Sequence, residues 1–66
     1  MEKTTVRRIK KAVVNGNLPA IFKGKDVNHA LNINWGGNFL AKHRVGNPGG
    51  ETEHFIQVSR GQYRLN

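Results

Sequence analysis

No cysteine occurs in the chain, which excludes disulfide staples and thiolate metal centres. Long apolar runs are missing as well, so no stretch can span a membrane, and the opening MEKTTVRRIKK lacks the apolar segment of a secretory signal. These absences point to a soluble protein of the reducing cytoplasm. Aromatic residues are few, at one Trp, one Tyr and three Phe. Acidic residues are scarcer still: four Asp and Glu stand against eleven Lys and Arg, for a formal charge of +7. On so small a surface that excess attracts polyanions, and the usual polyanion inside a cell is nucleic acid. The 66 residues make a single domain, close to the lower limit for a core without staples.

What is present is periodic. In TTVRRIKKAVVNG, Val6, Ile9, Ala12 and Val13 recur at three- and four-residue steps, while Arg7, Arg8, Lys10 and Lys11 fill the other faces. This predicts a first helix capped by Thr4 or Thr5 and ended by a left-handed Gly16. Asn17 to Phe22, interrupted by Pro19, suits a brief extended segment. KGKDVNHALNI predicts a helix of about two turns, with Asp26 in its first turn and Asn32 at its end. A third helix is expected over residues 34–44. Trp35, Phe39, Leu40 and His43 share one face, and Asn34, Asn38 and Lys42 another.

Two glycines, Gly36 and Gly37, stand at the start of that third helix. Either the helix begins later, near Asn38, because each interior glycine costs about 1 kcal/mol against alanine, or the missing side chains allow a ligand close to the backbone. The loop VGNPGGETE follows. The period then changes to that of strands, and Ser59-Arg60-Gly61 signals a hairpin between Phe55 to Val58 and Gln62 to Leu65. A two-residue loop pairs Val58 with Tyr63 and Ile56 with Leu65, which collects apolar side chains on one face. A three-residue loop pairs Val58 with Gln62 instead. Burial of one face favours the first.

FKGKDVNHALNI, Phe22 to Ile33, resembles the second-helix region of helix-turn-helix repressors, and FIQVSRGQYRL, Phe55 to Leu65, resembles the hairpin of small winged-helix domains. With the first helix, the resemblance to winged helix-turn-helix domains covers nearly the whole chain. It implies an α+β fold of three short helices plus a C-terminal β-hairpin. It also implies double-stranded DNA as partner, in a small transcriptional regulator or nucleoid-type protein with the third helix in the major groove. Asn38 would then contact adenine and Lys42 guanine or phosphate, with Asn34 on the same face. Lys25, His43, Arg44, Arg60 and Arg64 would contact phosphates.

Two other uses fit the same residues. One is a winged-helix protein-interaction module, including a homodimer paired through an open strand edge. The other is a small RNA-binding protein using the cationic first helix. Trp35 could stack on a base, but core is the better expectation for it, as for Phe22, Phe39, Phe55 and Tyr63. His29, His43 and His54 sit on different elements without metal-ligand spacing, so no metal or cofactor is expected. Glu51 and Glu53 beside His54 lie in a glycine-rich loop with no mass to form a cleft, so no enzyme is implied.

Overall fold

The computed structural model describes residues 2–66. Three helices, α1 (Glu2–Val14), α2 (Gly24–Leu31) and α3 (Gly36–Lys42), precede a two-stranded antiparallel hairpin of β1 (Phe55–Ser59) and β2 (Gln62–Leu65). This α+β layout is consistent with a winged helix. Among the described residues no helix is long and apolar enough to cross a membrane.

Helix α1 buries Thr5, Val6, Ile9 and Ala12 and exposes Arg7, Arg8, Lys10 and Lys11, as its periodicity requires. It starts at Glu2, whose carboxylate complements the helix dipole, so Thr4 and Thr5 lie inside the helix and do not cap it. Gly16 adopts φ +80°, and the amides of Asn17 and Leu18 both donate to the Ala12 carbonyl, turning the chain so that Leu18 re-enters the core. The extended segment expected before α2 contracts to one residue. Phe22 pairs antiparallel with Tyr63 through two hydrogen bonds of 2.8 Å.

Helix α2 receives help at both ends, as two turns must. The Lys23 amide donates to Asp26 Oδ2 at 2.9 Å, and Asn32 closes the helix in the left-handed region at φ 56°. Arg8 Nη2 donates to the Leu31 carbonyl at 2.8 Å, so a side chain of α1 satisfies one of the last carbonyls of α2.

The hairpin follows neither simple register throughout. Phe55 pairs with Leu65, Ile56 with Arg64 and Gln57 with Tyr63, as the three-residue loop requires, yet Ser59 pairs with Gln62 across a two-residue tip. A bulge at Val58 reconciles them. The expected pairing of Val58 with Tyr63 and Ile56 with Leu65 fails because it would turn Phe55 away from the core. The observed register puts Phe55, Tyr63 and Leu65 on one face; Phe55 is fully buried and Val58 is left exposed. Burial still decides the register, with Phe55 as the residue that decides it.

Phe55 packs edge-on against Phe22 and Phe39, with ring centroids 6.2 and 5.9 Å away. Val6, Ile9, Val27, Leu31 and Leu40 complete the core around them.

Candidate nucleic-acid interface

Helix α3 begins at Gly36, not near Asn38, and ends at Lys42. Its glycines are explained first by packing. A Cβ on Gly24 would lie 2.6 Å from Gly37 Cα, and one on Gly36 would lie 2.9 Å from the Gly24 carbonyl oxygen and 2.6 Å from Asn28 Oδ1. The first turns of α2 and α3 therefore touch backbone to backbone. No side chain of the preceding residue, Trp35, caps α3; instead the Gly36 amide donates to Asn28 Oδ1 at 2.6 Å. Gly37 differs: a Cβ there would meet nothing within 4 Å, so its outer surface is open.

The exposed face of α3 carries Asn38, Ala41 and Lys42. Together with Arg44 and the loop 47–51 these residues line an open groove of about 490 Å³. The far wall of the groove is built by Asn47, whose Nδ2 donates to the Arg44 and Glu51 carbonyls and whose Oδ1 accepts from the Glu51 amide, all at 2.8–2.9 Å. Glu53 reinforces it by accepting from the Gly46 amide at 2.7 Å. Gly46 and Gly50 take the positive φ values of 79° and 69° that the loop needs.

Three of the eight residues expected at the interface, Asn38, Lys42 and Arg44, thus converge on one groove. Lys25 follows Gly24 and so stands exposed where α2 crosses α3. Asn34 is exposed but lies in the turn before Trp35, outside α3, so the expected helical row of Asn34, Asn38 and Lys42 keeps only its last two members. Arg60 occupies the hairpin tip, and Arg64 the outward side of β2.

The expectation that His43 reaches a phosphate fails. Its side chain is 2% exposed, packed against Phe39 at 4.7 Å between ring centroids, and Nδ1 is 2.9 Å from the Thr52 carbonyl oxygen. With α3 ending at Lys42, His43 falls on the inner side of the chain as it turns back toward β1. Trp35 is less buried than a core role requires, at 40% exposed, and rests edge-on against Phe39.

The structure also assembles a polar cluster that sequence spacing hides. His43, His54 and Glu2 meet, with the His54 Nε2 to Glu2 Oε2 hydrogen bond at 2.7 Å spanning 52 positions of the chain. The carboxylate beside His54 is therefore Glu2, not Glu51 or Glu53. That hydrogen bond is the largest cause holding the Glu2 carboxyl below its ordinary value. No local pattern could have announced the cluster, because its members share no helix or strand. No protein-family model, curated protein or solved structure matches the chain.

Proposed function

We propose that this chain is a double-stranded DNA-binding module of the winged helix-turn-helix kind, used as a small transcriptional regulator or nucleoid-type protein. The observation that carries the reading is the convergence of Asn38, Lys42 and Arg44 on the open groove beside the exposed face of α3, in a chain of charge +7. Asn offers adenine a two-point contact, and Lys reaches guanine or phosphate. The unfilled space over Gly37 and the small Ala41 let the α3 backbone approach base edges. Lys25, Arg44, Arg60 and Arg64 supply phosphate contacts that fix orientation.

Docking of a protein or a second copy on a strand edge has less support. Phe22 covers the β2 edge at Tyr63, and the Val45 amide donates to the Phe55 carbonyl at 2.8 Å along the β1 edge. The exposed cations of α1 remain a feature that an RNA partner could use.

The test is a titration of labelled duplex DNA at several salt concentrations, with wild type, Asn38→Ala and Lys42→Ala. For roughly five neutralised phosphates, log affinity falls against log salt with a slope of about −4 to −5. Both variants bind more weakly, and Lys42→Ala has the shallower slope. No binding at low salt, or a slope near zero, sinks the reading. Loss of binding on replacing Arg7, Arg8, Lys10 and Lys11 by Gln, with no effect of Asn38→Ala or Lys42→Ala, moves the interface to α1.

A further inference from the structure

Glu2 at the start of α1, His43 just after α3 and His54 just before β1 each direct a ligand atom to one place, and the three atoms lie within 4.8 Å of one another. His54 Nε2 is 2.7 Å from Glu2 Oε2, and His43 Nε2 is 3.8 Å from Glu2 Oε1. Both imidazoles therefore present the same nitrogen to one carboxylate.

The His43 ring is oriented for this. A carbonyl oxygen only accepts, so the 2.9 Å contact with Thr52 requires the hydrogen on Nδ1 and leaves Nε2 as the ring nitrogen that faces Glu2. A backbone carbonyl gripping one ring nitrogen while the other faces the site is the outer arrangement typical of metal-ligating histidines. Packing fixes both rings further: the centroids of His43 and His54 are 5.4 Å apart, and Phe55 stands edge-on to His54 at 6.2 Å. Glu2 and His43 also line an open pocket of about 340 Å³ with Trp35, Phe39 and Lys42, which leaves room for water at further coordination positions.

We infer that Glu2, His43 and His54 form a binding site for a borderline divalent transition ion, of which Zn²⁺ is the representative, with water completing the coordination. Two imidazole nitrogens and one carboxylate match this class, whereas Ca²⁺ and Mg²⁺ require oxygen donors. Metal–ligand bonds of about 2.0–2.2 Å set neighbouring donors roughly 3–3.5 Å apart, so the three donors, which lie within 4.8 Å of one another, draw together on binding, with the 39%-exposed Glu2 side chain free to follow. The ion takes the place of the proton between His54 and Glu2. It ties the start of α1 to the end of α3 and the hairpin, stapling a small chain that has no cysteine to do so. Three protein ligands and a positively charged surface, with Lys42 nearby, make the site weaker than closed four-ligand sites.

The test is calorimetric titration of the untagged, chelator-treated full chain with Zn²⁺, beside Glu2→Gln, His54→Gln and His29→Gln, with folding followed by circular dichroism. One equivalent binds to wild type and to His29→Gln, and binding is weakened at least about ten-fold in Glu2→Gln and His54→Gln. Zn²⁺ raises the thermal midpoint of wild type and not that of Glu2→Gln, while Mg²⁺ raises neither. If His54→Gln does not fold, Glu2→Gln, altered at a partly exposed position, carries the comparison. Failure of folded wild type to bind Zn²⁺, binding untouched by Glu2→Gln, or binding lost only in His29→Gln overturns the assignment.

Discussion

Gly24 and Gly37 meet backbone to backbone where α2 crosses α3, so closely that a Cβ on Gly24 would sit 2.6 Å from Gly37 Cα. The two glycines are unequal partners, because the space in front of Gly37 itself is open. Gly24→Ala therefore forces the helices apart and costs about 1–3 kcal/mol. Gly37→Ala relieves an unfavourable helix residue and is neutral or stabilising by up to about 1 kcal/mol. Urea unfolding of the two variants measures the contrast. If α3 docks against DNA, Gly37→Ala also lowers DNA affinity without lowering stability, which separates close approach to a ligand from close approach of helices.

Asn28 supplies the cap that Trp35 cannot. Asn28→Ala leaves the Gly36 amide without its acceptor and costs about 1 kcal/mol, whereas Asn28→Asp keeps the acceptor and most of the stability. Equal losses in both variants, read from unfolding midpoints, would show that the hydrogen bond contributes nothing.

The Glu2 carboxyl ionises below its ordinary value of 4.5 because ionisation keeps the hydrogen bond with His54. A carboxyl with a depressed folded value stabilises the fold above the unfolded value, and that contribution disappears as pH falls through the folded one. Glu2→Gln is thus less stable than wild type at neutral pH, and the two converge at pH values below 4.5. Denaturation in the presence of a chelator at a series of pH values checks this. A difference that is the same at every pH contradicts it.

In the hairpin, the bulge separates two apolar neighbours with opposite sensitivities. Val58 is exposed, so Val58→Thr changes stability by less than about 0.5 kcal/mol. Phe55 is fully buried between Phe22 and Phe39, and Phe55→Ala costs about 3–5 kcal/mol, enough to unfold a chain of this size. The register with Val58 opposite Tyr63 demands a far larger effect at Val58. Chemical denaturation of the two variants distinguishes the registers.

Helix periodicity was legible wherever one face is buried along several turns. Val6, Ile9 and Ala12 showed the inner face of α1, and Asp26 and Asn32 bracketed α2, because these are local relations set by backbone geometry. The groove was legible only in part. Asn38 and Lys42 follow from helical spacing, but Arg44 joins them because the chain turns at His43, and the opposing wall exists because Asn47 folds its own loop. The burial of His43 was legible in its helical spacing from Phe39 and Leu40, and the phosphate contact expected of it ran against that spacing.

By itself the sequence determined the order of helices and hairpin, the basic surface and the absence of disulfides, all of which depend on composition and on neighbours along the chain. The tertiary structure decided the bulge at Val58, the contact of Gly24 with Gly37 and the meeting of Glu2 with His43 and His54. Each of these joins residues with no fixed spacing in the chain, brought together because burying Phe22, Phe55 and Leu40 in one core leaves the backbone few ways to close around them.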